Sequence, residues 1–379
     1  MKKQDNASDI IAVVAVFLLL FSLLALYPAA DTPSAHFNVS ARSATLYVPE
    51  TDTFIYSKNS RERMPMASTT KIMTALIALE ECSGDEVVKI DDSAIGVEGS
   101  SAYLRQGDEL TMEELTYALL LQSANDAAVA IACHIGESVE GFADIMNERA
   151  ESMGLCDTHF ENPHGLDSSE HYTTAEDLAK IAGAALKNPK FKEITSTYKK
   201  SFITEERSRT YVNHNKLLNM YDGCIGVKTG FTKKSGRCLV GAAERDGLTF
   251  ITVTLDAPSD WQDHRNMLDY GYERLEKISF AEPFEYEYEI PVLEGNTKSV
   301  RVANKDGASL IREKDDSNFE SHVKLSRFVV APISEGDILG EVIFTLDGKE
   351  CARVSLVATE SVAKKENKTL WGKFTSLFK

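Results

Sequence analysis

The 379-residue sequence predicts an α/β fold of the α+β kind, an antiparallel sheet carrying a cluster of helices, followed by a small all-β unit. Three observations carry that prediction. Residues 41–60 alternate apolar and polar about a turn, residues from about 67 to 190 carry apolar side chains mostly at helical spacing, and the period returns to two beyond residue 200. With 43% hydrophobic and 26% charged residues, the chain holds enough apolar material for folded domains with their own cores.

The elements can be justified in chain order. "ARSATLYVPETDTFIYSKNS" (41–60) reads as a β-hairpin turning at "PETD". "ASTTKIMTALIALEE" (67–81) opens the helical stretch, with Ser68 and Lys71 at the head of a long apolar run. Helical spacing continues through 111–136, broken by the polar "QSAN", then through 139–155 and 173–186, where Thr caps precede an acidic first turn. Strand-like segments follow in "SFIT", "GCIGVKTGF" and "GRCLVGAAERDGLTFITVTLDAP", the last turning at "RDG", and "WQDHRNMLDYGYERLEKI" reads as a closing helix. Residues 281–358 break into short alternating runs between polar turns and predict the all-β domain.

The two ends of the chain differ from this body. Two lysines precede an uncharged apolar stretch, Ile10 to Tyr27, and then small residues and prolines, which is the pattern of an export signal over 1–30. Its 18 residues are long for a cleaved signal and just long enough for a membrane anchor; cleavage is the expectation. At the other end, residues 362–379 place Leu370, Trp371, Phe374, Leu377 and Phe378 on one helical stripe among lysines. That predicts a basic amphipathic helix lying on an anionic membrane surface.

Composition excludes some partners. Forty-one basic against fifty-eight acidic residues give a net charge of −17, so nucleic acid is not expected. The six cysteines lack metal-ligand spacing, and no metal or cofactor is expected. Cys224 and Cys238 lie where a hairpin can bring them face to face; buried free thiols are the expectation for all six.

Candidate chemistry centres on Ser68 and Lys71. The Ser-x-x-Lys spacing itself occurs five times, starting at Ser68, Ser196, Ser321, Ser361 and Ser376. Only Ser68 heads a long apolar helix, where unpaired backbone N–H groups favour developing negative charge. A serine hydroxyl needs a base, and an amine set among Ile72, Met73 and a helical core can have its pKa lowered enough to serve. Ser123 and Asn125 stand where one helical pattern gives way to another, so they either cap or face a cleft. Lys228, Thr229 and Gly230 end a strand: the lysine and hydroxyl suit a substrate carboxylate, and the glycine lets substrate backbone approach. Lys234-Ser235-Gly236 is a near-copy in the following turn. Asn162, His164 and His171 read as loop hydrogen-bonding residues rather than a metal or histidine-base site.

"STTK", "SAN" and "KTG", in this order, resemble the three active-site motifs of serine penicillin-binding proteins and β-lactamases. Over residues 37–379 the chain is similar to low-molecular-mass D-alanyl-D-alanine carboxypeptidases, through "MASTTKIMTALIALE", "SANDAA", "NPHGLDSSEHYTTAEDLAKIA" and "DGCIGVKTGFTKKSGRCLVGAA". The resemblance implies a β-lactamase/transpeptidase-like catalytic domain over 37–278, with peptidoglycan stem peptides as substrate and β-lactams as acylating mimics. It further implies that Ser68 is the acylated nucleophile and Lys71 its base, that Ser123 relays protons with Lys228, and that Asn125 holds the peptide. Lys228 and Thr229 would face the substrate's terminal carboxylate, and the backbone N–H groups of Ser68 and Phe231 would form an oxyanion hole. Alanine in the middle motif preserves both functional side chains. A D,D-transpeptidase is the nearest alternative. A class A β-lactamase is further off, because Asn215 stands where a Glu-x-x-Leu-Asn segment would need its glutamate. A non-catalytic cell-wall protein is the alternative of a different class.

Overall fold

The computed structural model describes residues 38–203, 207–315 and 317–366. The expected export segment at 1–30, Ser376 and residues 367–379 of the expected C-terminal helix lie outside them. Among the described residues no helix is long and apolar enough to cross a membrane.

The chain opens with the hairpin of β1 (Ser43–Val48) and β2 (Thr53–Lys58). A 3-10 turn, Ala67–Thr70, leads into α1 (Lys71–Glu81). A small ribbon, β3 (Val87–Lys89) with β4 (Glu109–Thr111), interrupts the stretch expected to be helical. Then come α2 (Met112–Leu121), α3 (Asn125–Gly136), α4 (Val139–Ser152), α5 (Ala175–Leu186) and α6 (Pro189–Ser196). Their starts follow local chemistry: Thr111, Ser138, Thr174 and Asn188 each accept a hydrogen bond from a first-turn N–H. A second ribbon, β5 (Lys199–Ile203) with β6 (Ser208–Val212), and the short α7 (Leu217–Met220) precede β7 (Cys224–Thr232), β8 (Gly236–Arg245) and β9 (Leu248–Leu255).

These strands form one antiparallel sheet in the order β2-β1-β9-β8-β7, so β7, which carries the Lys-Thr-Gly motif, lies on an edge. Every residue of β9 is buried because helices cover both faces of the sheet. Alternation divides neighbours between two cores: Leu46 and Phe250 pack with Met267 and Leu268, while Tyr47 and Ile251 pack with the helical cluster. Met267 and Leu268 belong to α8 (Asp260–Arg274). The expected closing helix therefore ends at Arg274, and "LEKI" begins β10 (Leu275–Ala281), because that segment pairs antiparallel with β13 (Ala308–Glu313), reached after β11 (Glu287–Leu293) and β12 (Ser299–Asn304). A backbone ladder to a distant strand outweighs a helical side-chain pattern at a helix end.

The C-terminal part adds β14 (Phe319–Leu325), β15 (Val329–Val330), β16 (Ile338–Leu346) and β17 (Lys349–Ala358), in a sheet ordered β14-β16-β17-β12-β11-β15. Its own core holds Phe280, Ile290, Val300, Val302, Phe344 and Leu356, with Phe280, Phe319 and Phe344 stacked at centroid distances of 5.0–5.9 Å. Residues 362–366, expected to begin the amphipathic helix, are extended instead. Val362 bridges Ile333 and is 1% exposed, and Lys364 bridges Gly295, so burial of one apolar side chain keeps this segment on the β sheet. All six cysteines are free. In the β7–β8 register Cys238 faces Gly230 and Cys224 faces Ala243, which puts them at different rungs; only Cys238 is buried as expected, while Cys82, Cys133, Cys224 and Cys351 are half-buried and Cys156 is exposed.

Candidate active site

The three motifs converge between the 3-10 turn, the α2–α3 turn and the edge strand. Ser68 is half-buried in the 3-10 turn and Lys71, the first residue of α1, is fully buried. The Lys71 Nζ lies 3.1 Å from Ser68 Oγ, 2.6 Å from Asn125 Oδ1 and 2.5 Å from the His164 carbonyl oxygen. A neutral amine has two N–H bonds and one lone pair. The Asn125 and His164 oxygens can only accept, so they take both hydrogens and leave the lone pair for the Ser68 hydroxyl.

Electrostatics favours that neutral amine. Burial, and next the neighbouring Lys228 charge, push Lys71 well below the usual lysine value, against the pull of the Asp126 carboxylate. Lys228, 1% exposed, is pushed down to about 7 by burial alone, and its Nζ donates to the Thr229 carbonyl at 3.0 Å. Ser123 is buried in the turn between α2 and α3, in a left-handed conformation with φ of 60°. Its hydroxyl has no hydrogen-bond partner among the described residues, Lys228 included. Asn125 is buried and committed on both sides, its Nδ2 donating to the Glu98 carbonyl at 2.5 Å, so in this state it holds Lys71.

Close backbone approach brings the edge strand onto the nucleophile turn. A Cβ on Gly230 would sit 3.0 Å from Ser68 N and 3.1 Å from Thr69 N, so only glycine lets β7 lie this near. Thr229 and Gly230 are half-buried and Phe231 is 67% exposed, which leaves this strand end open to a ligand.

Sequence reasoning missed the parts that hold these groups. Asp126 accepts from Ser101 Oγ (2.6 Å), Ala102 N (2.9 Å) and Leu104 N (3.1 Å), strapping the 98–104 loop to the head of α3. The signal was the second residue of "ND", a carboxylate in a helix's first turn. Gly165, with φ of +88°, packs so closely behind the turn that a Cβ would lie 1.9 Å from the Ala67 carbonyl oxygen. Ala67 itself has φ of 47°, a strained value for a residue with a side chain.

Asn162, His164 and His171 form the loop behind this turn. Asn162 Oδ1 accepts from Gly165 N at 2.7 Å. His171 Nδ1 accepts from Glu161 N at 3.0 Å, which makes its Nε2 the donor to Thr70 Oγ1 at 2.7 Å. Burial leads in pushing His171 down to about 4 and His164 to about 3, so both rings are neutral near pH 7.

The other Ser-x-x-Lys matches do not build such a site. Ser196 Oγ donates to the Lys192 and Glu193 carbonyls of α6, and Ser361 Oγ accepts from Glu335 N. Ser321 lies on β14, where a residue three positions on points to the opposite face. Ser235 of the near-copy is buried in its turn against Thr232.

A family profile described as D-alanyl-D-alanine carboxypeptidase matches residues 29–259, and one for the penicillin-binding protein 5 C-terminal domain matches residues 281–364. D-alanyl-D-alanine carboxypeptidase DacF of Bacillus subtilis is 30% identical over 363 residues, 93% of each chain. Penicillin-binding protein 5 from Haemophilus influenzae has a similar structure, with a TM-score of 0.62 at 27% identity over 87% of this chain and 100% of that one. The Streptomyces K15 DD-transpeptidase structure matches with a TM-score of 0.59 at 34% identity, over 62% of this chain and 98% of that one.

Proposed function

This chain belongs to the D-alanyl-D-alanine carboxypeptidase family and is a serine D-Ala-D-Ala carboxypeptidase, and from that premise we propose that Ser68 is its nucleophile and Lys71 the base. The observation that carries the assignment is the Lys71 Nζ with two fixed acceptors and the Ser68 hydroxyl 3.1 Å away.

In the proposed sequence Ser68 Oγ adds to the carbonyl carbon of the penultimate D-alanine as its proton passes to Lys71 Nζ. The oxyanion is held by the backbone N–H groups of Ser68 and Phe231. Collapse breaks the C–N bond, the leaving D-alanine takes a proton from the Lys71 side, with Ser123 and Lys228 as relay, and an ester remains on Ser68. Water then adds to that ester and releases the shortened peptide with regenerated Ser68. Lys228 and Thr229 bind the terminal carboxylate beside the glycine that admits substrate backbone, and Asn125 turns from Lys71 toward the peptide as substrate enters.

A β-lactam carbonyl enters the same step and stays as a slow ester. Among the described residues no carboxylate hydrogen-bonds Ser68 or Lys71, which disfavours rapid β-lactam deacylation. Residues 37–278 form the catalytic unit, 281–358 the β domain with its edge running on to 364, and the enzyme works on the outer face of the membrane. Residues 1–30 direct export, and the basic apolar tail beyond 366 rests on anionic lipid.

A fluorescent penicillin tests the assignment. Labelling is expected in the wild type and in Ser196→Ala and is lost in Ser68→Ala; labelling that survives Ser68→Ala overturns it. Incubation with a stem pentapeptide is expected to yield tetrapeptide and free D-alanine. Cross-linked dimer as the main product would instead make the enzyme a transpeptidase, the activity named for the Streptomyces K15 structure.

A further inference from the structure

We propose a divalent-metal site of the zinc type on the helical cluster, with Cys82, Glu86 and His134 as ligands. Cys82 ends α1, Glu86 closes the turn that follows, and His134 sits in the last turn of α3. One ligand atom from each lies within 4.8 Å of the other two. His134 Nε2 is 2.7 Å from the Glu86 carboxylate, and the Cys82 thiol hydrogen-bonds the same carboxylate. Three donors thus already share protons around one point on the surface.

The chemistry of the set selects the ion. A thiolate and a carboxylate together carry two negative charges, which a dication neutralises, and the imidazole adds a neutral nitrogen. Sulfur, nitrogen and oxygen donors suit Zn²⁺ or Co²⁺ rather than Ca²⁺ or Mg²⁺, with water in the fourth position. Binding expels the thiol proton to solvent and moves the imidazole hydrogen from Nε2 to Nδ1, so that Nε2 presents its lone pair. Donor atoms on a tetrahedral zinc lie roughly 3.5 Å apart, within reach of small rotations of half-exposed side chains.

The backbone under the site is held in place. Cys82 N donates to the Ala78 carbonyl, Glu86 N to the Ser83 carbonyl and Met112 N to the Glu86 carbonyl, at 3.2, 3.1 and 2.8 Å. A bound ion would therefore staple the C-terminal ends of α1 and α3. Cys82 is eleven residues past Lys71, about 16 Å along an α-helix, so the site is separate from the peptidase centre and does not rest on that assignment. Cysteine spacing alone could not reveal it, because the partners are a glutamate and a histidine 4 and 52 positions away.

Titrating the purified full chain with Co²⁺ in the presence of a phosphine reductant tests the site. Expected are a thiolate-to-cobalt charge-transfer band and tetrahedral d–d bands that saturate at one equivalent and are displaced by Zn²⁺. Cys82→Ser should abolish the charge-transfer band, Cys133→Ser should leave it, and Glu86→Gln or His134→Ala should weaken binding by about tenfold or more. Zn²⁺ should raise the thermal midpoint of the wild type and not of Cys82→Ser. No band in the wild type, or one that persists in Cys82→Ser, overturns the proposal. Penicillin acylation by Cys82→Ser, expected at the wild-type rate, shows that the variant is folded.

Discussion

At the scale of single residues, the centre depends on two buried lysines whose amines meet no carboxylate among the described residues. Lys71 gains its competence from where it lies: burial and Lys228 lower its pKa, and two oxygens orient its lone pair. Lys71→Ala should therefore cost at least about 100-fold in acylation rate, the scale of losing a general base, while thermal unfolding shows the fold intact. An unchanged rate would remove Lys71 from that role. Lys228 pays a measurable stability cost. Its ordinary value of 10.5 falls to about 7, so between those pH values the unfolded chain binds more protons than the folded one and stability drops as pH falls. Lys228→Met should raise the thermal midpoint at pH 7 by a few degrees, narrow that pH dependence, and abolish turnover. A lowered midpoint would mean that Lys228 has a stabilising partner.

At the scale of elements, the site is a meeting of turns held by close contacts. The loop that carries Gly165 sits directly against the Ala67 carbonyl, immediately before the nucleophile. Gly165→Ala meets both an unfavourable φ and an overlap at 1.9 Å, so the loop or the turn must move. A loss of about 1–3 kcal/mol in stability and a drop of tenfold or more in acylation are expected, read by thermal unfolding and by labelling rate. Normal acylation in this variant would show that the turn does not need the loop. His171 supports the same turn from behind, since its neutral Nε2–H bonds Thr70. Its value of about 4 lies below the unfolded value of 6.5, so this support is present above pH 6.5 and is lost as pH falls through 4.

At the scale of the whole molecule, the chain divides its apolar residues among separate cores, and the edge of the C-terminal one extends further than the strand pattern suggested. Because Val362 is buried against Ile333, two truncations should behave differently. Removing 367–379 should leave the β domain folded and release the protein from membranes, provided the N-terminal segment is cleaved. Removing 362–379 should also lower the thermal stability of the β domain. Sedimentation with membranes and thermal unfolding measure both; a 367–379 deletion that stays bound would point to a retained N-terminal anchor.

Much of this was legible in the sequence. The hairpin at 43–58, helix starts at Thr111 and Thr174, the β8–β9 turn and the order of the three motifs follow from local periodicity, capping chemistry and residue type, which act over a few neighbours. Where a segment's partner is remote, the pattern misled: "LEKI" is a strand because β13 pairs with it, and residues 362–366 are extended because the β core buries Val362. The motifs singled out the residues around Ser68 as candidates, and the fold brings Ser68, Lys71 and Asn125 within hydrogen-bond distance. That Asn125 and His164 turn the Lys71 lone pair toward it, and that Gly165 and Gly230 press on its turn, was decided only by the tertiary structure. Proton position and amine pKa depend on burial and on groups as distant in sequence as His164 and Lys228, and only folding brings these close to Lys71.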